Sequence, residues 1–466
     1  MKILFYVEPH GVRDTFFAHQ LPFKQFRSIV TEIYHNDNER LGSVDARIFA
    51  NHFVGGLSFP DFFSEWPLIL QPSKAERAAI EDAARMWKFH GMTDWVELMR
   101  NPDSEIAKLY YSILKRIKET EFDFDVIVSW GENAAVKLFA EANGIQQVYV
   151  ELASMRAPFP NALLVDPLGV NGSSSTTKLN MSALTDMMCD LPSAALPVLL
   201  NEELSPGQQS AVIPQARYRT MSSDVREFVA RPGPVALVPL QLADDANQLI
   251  YSRFRDVESF AQAAVEPLLE AGYRVILKGH PSAVQRGGYV MNVQRNCLRK
   301  YSGNPSVLAL EAGSPASDYL PMLDAVDLVV TNNSSVGFEA MLMGRLSVVL
   351  GLACYAPADA LPSLSEAISS RLDMDTRAHW LQRSRLVTTY MLACAFPLCR
   401  RLGTELVQRA EMWSGFDNNG AHNEDWLREM VGNVSWSTWS QTELTRQMTV
   451  GNKTGQAKRK LSGVLG

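Results

Sequence analysis

Short apolar runs alternate with amphipathic stretches along the first third of the chain. The amphipathic stretches carry apolar residues at the three- and four-residue spacing of a helix face, and the runs have the length of buried strands. The pattern predicts strands at 3–7, 125–130 and 148–151 and helices at 105–118 and 132–143. Gly144 is a natural stop for the second helix. A strand, a helix and a strand joined by short links predict a βαβ unit with parallel strands.

The second half repeats this alternation more regularly. Its pattern predicts strands at 235–240, 274–278, 307–310, 327–331 and 347–350 and helices at 254–270 and 335–344. Such an order is typical of a doubly wound α/β domain. Residues 172–234 are rich in Pro, Ser and Gln and predict an irregular linker with one or two helices, and the chain beyond Pro362 has helical character.

These patterns divide the chain into three parts. A length of 466 residues fits two or three domains. We expect an N-terminal α/β domain at 1–230 and a Rossmann-like domain at 231–365. A helical C-terminal region with a basic tail is expected at 366–466.

Composition narrows the possible partners and the compartment. The net charge of −7 disfavours a nucleic-acid binder, although a local pocket can still be basic. The five cysteines are scattered, so neither a disulfide framework nor a zinc site is expected. The first residues predict a strand rather than a signal peptide, and no apolar run approaches the ~18 residues of a membrane span. We therefore expect a cytoplasmic protein, and the basic tail allows peripheral contact with anionic lipid at the inner membrane.

Candidate chemistry lies where the strands of the second half end, because ligands of doubly wound sheets bind outside the carboxyl ends of the strands. Asp244 and Asp245 follow the strand at 235–240. One interpretation is a helix N-cap, since Asp is a preferred capping residue. The other is a carboxylate aimed at the anomeric carbon of a sugar, as nucleophile or electrostatic stabiliser.

The next strand ends in Lys278-Gly279-His280-Pro281. Gly279 lets the backbone approach a ligand closely, and Pro281 biases His280 towards an extended conformation. A lysine and a histidine at this edge suit a phosphate leaving group, because one supplies charge and the other donates a hydrogen bond or a proton.

The strand at 327–331 is followed by Asn-Asn-Ser-Ser-Val-Gly-Phe-Glu-Ala. Ser334 and Ser335 open a helix whose free N–H groups favour an anion, and Glu339 could accept hydrogen bonds from ribose hydroxyls. Helix capping explains the same residue types equally well. The sequence has no Walker A loop, no GxGxxG after a strand and no clear DxD-type metal site. The three strand ends together therefore predict a nucleotide-sugar domain that stabilises its leaving phosphate with helix ends and cations. No metal is required if His280, Lys278 and the helix dipole neutralise that phosphate.

These motifs resemble the bacterial retaining β-Kdo glycosyltransferases of capsule and O-antigen synthesis, which use CMP-Kdo. The family's Gln-x-x-x-Asp element is similar to Gln241–Asp245 before Ala246, and its His-Pro motif is similar to His280-Pro281. Its Ser-rich Gly-Phe-Glu-Ala segment is similar to residues 334–340. The resemblance implies a GT-B-like fold, with two Rossmann-like domains facing a cleft and a helical C-terminal extension. It also implies that the domain at 1–230 lies on the acceptor side and that the domain at 231–365 binds the CMP-sugar.

The first half resembles the family more loosely. Glu151 to Arg156 is similar to its Glu…Gly-Phe-x-Arg segment, although Ala153-Ser154 stands in place of Gly-Phe, and Asp166 to Gly169 is similar to its Asp-x-x-Gly. The resemblance covers roughly residues 125–360.

By that resemblance, each candidate residue has a role in moving Kdo to a surface polysaccharide or a lipid-linked glycan. The expected catalytic residues are Asp245, His280 and Glu151, with Asp245 favoured over Asp244 as the nucleophile that forms an aspartyl-Kdo intermediate. Arg156 and Asp166 are expected on the side of the acceptor or of the sugar carboxylate. The expected donor-binding residues are Gln241, Lys278, Gly279, Asn333, Ser334, Ser335, Gly337 and Glu339.

Three alternatives remain beside this hypothesis. A CMP-sialic acid transferase has the same leaving group and a similar keto acid. The Gln-x-x-x-Asp element and the neighbourhood of Gly337, Phe338 and Glu339 favour Kdo over it. A non-catalytic partner that positions a glycan would be indicated by the loss of Asp245 or His280, and both are present. A nucleotide-sugar epimerase could use Glu132 and Asp166 as acid and base, but would leave the Gln-x-x-x-Asp element unexplained.

Overall fold

The computed structural model describes most of the chain. The described residues are 1–8, 20–35, 41–50, 68–90, 93–157, 159, 161–188, 221–286, 288–313, 319–397 and 402–414. They form two compact units. The first comprises the described residues within 1–152, 163–175 and 397–414, and the second comprises those within 153–162 and 176–396.

The first unit contains a six-stranded sheet of order β3-β2-β1-β4-β5-β6. All neighbouring pairs are parallel except β5 and β6, which are antiparallel. The strands are β1 (Lys2–Tyr6), β2 (Asp45–Phe49), β3 (Ile69–Leu70), β4 (Val126–Trp130), β5 (Gln146–Leu152) and β6 (Leu163–Asp166).

Helices of the first unit cover this sheet with their apolar faces. Ser104 caps α4 by accepting a hydrogen bond from the N–H of Ala107, and the buried face of α4 is apolar from Ile106 to Ile117. Gly144 ends α5 in the left-handed conformation that glycine adopts without strain. The helices are α1 (Gln20–His35), α2 (Lys74–His90), α3 (Thr93–Arg100), α4 (Glu105–Thr120) and α5 (Ala134–Asn143).

The second unit is built on a five-stranded parallel sheet of order β11-β10-β7-β8-β9. The chain runs outward from β7 to β9 and then returns to the other side of β7, so the strand order reverses between β7 and β10. The strands are β7 (Val235–Pro239), β8 (Arg274–Lys278), β9 (Val307–Leu310), β10 (Leu328–Thr331) and β11 (Leu346–Val349).

Helices of the second unit pack on this sheet, and Phe260 and Leu268 share an apolar core with Val275 and Val330. Asp256 caps the long helix α9 by accepting from Ser259. The helices are α6 (Met181–Met188), α7 (Ser223–Ala230), α8 (Ala246–Leu249), α9 (Val257–Glu270), α10 (Ala283–Arg286), α11 (Gly288–Tyr301), α12 (Tyr319–Ala325), α13 (Ser335–Leu342), α14 (Leu364–Ser369) and α15 (Met374–Tyr390).

The predicted strands and helices of both halves are present, with ends shifted by a few residues. The fold class is confirmed in its parts: two Rossmann-like α/β domains and a C-terminal part that is helical where the structure describes it. Trp413, in the last described helix, is fully buried. No helix among the described residues is long and apolar enough to span a membrane. The basic tail at 453–460 lies outside the described ranges.

The compact units do not follow the predicted domain boundaries. The expected third region divides between them, because α16 (Leu402–Trp413) packs against α1 and β5 of the first unit while α15 packs against α6 and α13 of the second. Residues 176–188 and 221–230 of the expected N-terminal domain likewise belong to the second unit.

Candidate functional site

The second unit holds a cavity of about 650 Å³ at the carboxyl ends of β7, β8 and β10. Its size is that of a small-molecule site, and its position is the one at which doubly wound sheets bind ligands. Nine of the thirteen residues singled out in the sequence line it, namely Arg156, Gln241, Asp245, Lys278, Gly279, His280, Ser334, Ser335 and Glu339.

The strand order reverses at this cavity, and a chain of amides bridges the gap between β7 and β10. The side-chain N–H of Gln241 donates to Asn333 Oδ1 at 2.6 Å, and Asn333 Nδ2 donates to the carbonyl of Asn247 at 2.8 Å. These two bonds hold the 241–247 loop near both ends. Asn333 does not line the cavity, and the contact that the structure gives it is with the loop that carries Asp245.

Asp245 is the N-cap of α8 and also lines the cavity. Its Oδ1 accepts a hydrogen bond from the N–H of Asn247 at 2.9 Å, so the capping interpretation of this aspartate is correct. Its Oδ2 has no hydrogen-bond partner in the described part of the chain, and capping therefore leaves one oxygen for a ligand. The neighbouring Asp244 is instead paired with Arg286 at 3.0 Å.

His280 is fixed in orientation and is uncharged near neutral pH. Its Nδ1 accepts a hydrogen bond from the N–H of Ser282 at 3.1 Å, so the proton of the neutral ring is on Nε2. Burial lowers the pKa of His280 to about 4, and the nearby cations Lys278, Arg286 and Arg156 add to this effect. The ring can therefore donate a hydrogen bond from Nε2 while the cations around it attract an anion.

Ser334 and Ser335 lie at the start of α13, on the wall of the cavity. Ser334 is the N-cap and its hydroxyl accepts from the N–H of Val336 at 3.4 Å, so the capping interpretation applies here as well. The N–H groups of a first helical turn favour an anion. The hydroxyl of Tyr355 donates a hydrogen bond to the carbonyl of Ser334 and so stabilises the first turn of α13.

Two glycines of the predicted site are required by packing. A Cβ atom on Gly337 would lie 2.6 Å from the Tyr355 hydroxyl and 2.8 Å from the Thr331 methyl group. One on Gly279 would lie 2.9 Å from the backbone nitrogen of Ala312. In the described structure the group next to Gly279 is thus a neighbouring loop, and close approach of the Gly279 backbone to a ligand stays a prediction.

Glu339 is only 1% exposed, and both of its oxygens have protein partners. One accepts from the N–H of Arg156 at 2.6 Å and the other accepts from the hydroxyl of Tyr319. Burial raises the pKa of Glu339 to about 7, and these two bonds partly oppose the rise. The carboxyl thus holds Arg156 and Tyr319 at the cavity wall, and its contact with a ribose stays a prediction.

Glu151 and Asp166 belong to the first unit, so their expected position opposite the donor stays a prediction. Glu151 Oε1 accepts from the N–H of Leu152 at 2.8 Å. Asp166 is buried, and it accepts from the Ser175 hydroxyl at 2.7 Å and from the N–H groups of Leu168, Gly169 and Ser175. Burial raises the pKa of Asp166 to about 6. These contacts make Asp166 the organiser of the loop that follows β6.

Sequence reasoning missed several residues that build the cavity. Asn247 and Tyr319 line it. Gln294 forms hydrogen bonds with the backbone of two of its loops, at His280 and at Gln241. The sequence contains a weak indication for Gln294. This polar residue is spaced four residues from Val290 and from Leu298, so it lies on an otherwise apolar helix face. The sequence contains no such indication for Tyr319, since its hydrogen-bond partner Glu339 is distant in sequence.

The arrangement brings a carboxylate oxygen, a neutral imidazole N–H, a lysine and a helix start to one cavity. Together these groups can hold a phosphate ester and present a nucleophile beside it. No cluster of three or more His, Cys, Asp or Glu residues that could hold a metal occurs within the described ranges. Independence of metal stays a prediction.

Residues 197–361 match the family profile described as capsule polysaccharide biosynthesis protein. This third of the chain is similar to that family. It includes β7 to β11 and all three strand ends that carry the candidate residues.

A curated relative is Protein FixF of Sinorhizobium fredii (strain NBRC 101917 / NGR234), which is 25% identical over 280 residues. The match covers 56% of this chain, and the chain spans only 60% of the length of that relative.

Solved structures with some likeness include Thermosulfurimonas dismutans KpsC, a β-Kdo 2,7 transferase, at 13% identity and a TM-score of 0.35. That match covers 88% of this chain and 99% of KpsC. The UDP-GlcNAc 2-epimerase of Neisseria meningitidis, bound to UDP-GlcNAc, matches at 12% identity and a TM-score of 0.33, over 83% of this chain and 94% of its own. At these values the likeness carries no functional argument.

Proposed function

We propose that this chain is a glycosyltransferase of capsule or other surface polysaccharide synthesis that moves Kdo from CMP-Kdo to an oligosaccharide or lipid-linked acceptor. One observation carries the proposal. Asp245, the Lys278–His280 pair and the Ser334–Ser335 helix start come from three separate strand ends and line one cavity. The family match over residues 197–361 supports a role in polysaccharide synthesis, and the motif resemblance supports CMP-Kdo as donor.

The first step in this proposal is displacement of CMP by Asp245. The Oδ2 atom attacks the anomeric carbon of the sugar and the bond from that carbon to the phosphate oxygen breaks. CMP leaves with the bonding electron pair, and a glycosyl ester forms on the aspartate. An acceptor hydroxyl then attacks the same carbon, loses its proton to a base and releases the carboxylate. Two inversions give net retention of configuration.

The leaving phosphate is stabilised by groups that keep one charge state throughout. His280 donates from Nε2 as a neutral ring, because its pKa near 4 leaves it unprotonated at neutral pH. Lys278 supplies positive charge, and the first turn of α13 supplies N–H groups. A preorganised set of donors of this kind stabilises the charge that develops on the phosphate.

Intact-protein mass spectrometry after incubation with freshly generated CMP-Kdo tests the proposal. We expect wild type to gain the mass of one Kdo residue and Asp245→Ala to gain nothing. Asp244→Ala is the matched control, because it removes an adjacent carboxylate that is engaged with Arg286. It should form the adduct as wild type does.

Other results would redirect the proposal. An adduct with CMP-sialic acid but not with CMP-Kdo would make the chain a sialyltransferase. An adduct on Asp244→Ala and Asp245→Ala alike would exclude Asp245 as the nucleophile. Failure of wild type to bind CMP in calorimetry and to transfer either sugar would favour a non-catalytic partner in glycan assembly.

A further inference from the structure

Gln294 is a buried amide on a helix face that is otherwise built for packing. It is 1% exposed, and the other buried residues of α11 are Val290, Cys297, Leu298 and Tyr301. A leucine would suit this position, because burial of an amide is unfavourable unless the amide is hydrogen-bonded. Its bonding partners therefore show what the amide does.

Both ends of the Gln294 amide bind backbone groups of the cavity loops. Its Oε1 accepts from the N–H of His280 at 2.8 Å, and its Nε2 donates to the carbonyl of Gln241 at 2.6 Å. A backbone N–H can only donate and a carbonyl can only accept, so the orientation of the amide is unambiguous. One side chain thus joins the end of β7 to the end of β8.

This junction lies where the two strands separate. The N–H of Leu240 still donates to the carbonyl of Lys278 at 2.8 Å. One residue after Leu240, beyond the end of β7, the carbonyl of Gln241 accepts a hydrogen bond from the Gln294 side chain, and the N–H of His280 donates one to the same side chain. The Gln294 amide therefore replaces a backbone hydrogen bond between the two chain segments at the point where they separate.

We propose that Gln294 is a positioning residue that sets the separation between the loop carrying Asp245 and the loop carrying His280. The catalytic part of this inference rests on the proposed function. Asp245 follows Gln241 by four residues, and the Asn333 bridge fixes the same loop on its β10 side. Without Gln294, the side of the loop facing β8 would lose its hydrogen-bonded tie to His280.

Two substitutions separate positioning from simple packing. Gln294→Leu keeps the volume and removes both hydrogen bonds. Gln294→Glu keeps an acceptor for the N–H of His280, but when ionised it turns an oxygen towards the carbonyl of Gln241. A protonated carboxyl group donates to that carbonyl, so this variant should recover as the pH falls through the pKa of the new group. Gln146→Leu is the matched control, because Gln146 is a buried glutamine of the first unit whose Nε2 binds a backbone carbonyl at 2.8 Å.

Hydrogen exchange tests the bridge without reference to activity. We expect the amide hydrogens of peptides containing His280 to exchange faster in Gln294→Leu than in wild type and in Gln146→Leu. Unchanged exchange at these peptides would overturn the bridge. This result stands whether or not the chain transfers Kdo.

Transfer kinetics then test the catalytic consequence. A misplacement of about 1 Å can cost about a hundredfold, so we expect kcat of Gln294→Leu to fall by roughly that factor. The affinity for CMP should change by no more than about threefold, since the lost interaction acts on the reacting geometry. A kcat within twofold of wild type, or a Gln294→Glu profile parallel to that of wild type across pH, would refute positioning. If wild type binds CMP yet transfers no sugar, the proposed function fails. The hydrogen-exchange experiment then remains as the test of the hydrogen bonds made by Gln294.

Discussion

Replacement of Gly337 by alanine tests whether the start of α13 is as tightly packed as the structure describes. In an ordinary helix interior this change is favourable by about 1 kcal/mol, because glycine is the more flexible residue. Here the new methyl group would lie 2.6 Å from the Tyr355 hydroxyl and 2.8 Å from the Thr331 methyl group. Both neighbours are fully buried, so neither can withdraw into solvent.

The expected net effect is a loss of stability. Overpacking of a core costs about 1–3 kcal/mol. If Tyr355 moves, its hydrogen bond to the carbonyl of Ser334 is lost, which adds about 1–3 kcal/mol. After subtraction of the helix-propensity gain, Gly337→Ala should destabilise the second unit by about 1–5 kcal/mol. For a domain of this size that corresponds to roughly 2–4 °C in Tm for each kcal/mol.

Scanning calorimetry measures this effect, with Gly288→Ala as the control. Gly288 is the first residue of α11, and a Cβ atom there would meet nothing within 4 Å. The control should be neutral or slightly stabilised. We also expect weaker CMP binding by Gly337→Ala, because Tyr355 supports the turn that carries Ser334. A Gly337→Ala protein as stable as wild type would refute the packing argument.

Three further outcomes follow from the site. Burial raises the pKa of Glu339 from 4.5 to about 7, so between these values the folded chain holds a proton that the unfolded chain releases, and stability falls as the pH rises. Glu339→Gln should flatten this slope in thermal unfolding, and an unchanged slope would contradict the raised pKa. The pKa of His280 is lowered from 6.5 to about 4, so between these values the unfolded chain holds a proton that the folded chain does not. The contribution of His280 to the free energy of unfolding is therefore lost as the pH falls from 6.5 towards 4. His280→Asn should remove that loss at low pH, and persistence of the full loss would assign it to other groups. Finally, chelation with EDTA should leave transfer activity unchanged, whereas a loss that Mg²⁺ restores would show that the reaction needs a metal.

The sheet core was predictable because parallel strands buried on both faces are short and almost continuously apolar. The runs around Val238, Ile276 and Val330 have that character, and each is a strand. The rule that ligands bind at the carboxyl ends of such strands predicts Asp245 and His280 as site residues, and both line one cavity.

Contacts made by single side chains across long stretches of sequence were not predictable. The bonds of Gln294 to Gln241 and of Tyr319 to Glu339 depend on how α11 and α12 pack, and no local pattern records that. The aspartate presented a different difficulty. Capping and catalysis favour the same residue type at a helix start, and the geometry of Asp245 allows both.

The central position of β7 has a consequence for synthesis of the chain. Its five residues are all buried, and its partners are β8 and the much later β10. About 90 residues separate the end of β7 from the start of β10. At about 5–20 residues per second, a ribosome takes roughly 5 to 20 seconds to make them. During that interval one side of an apolar strand is an unpaired edge, the kind of surface that attracts other nascent chains or a chaperone.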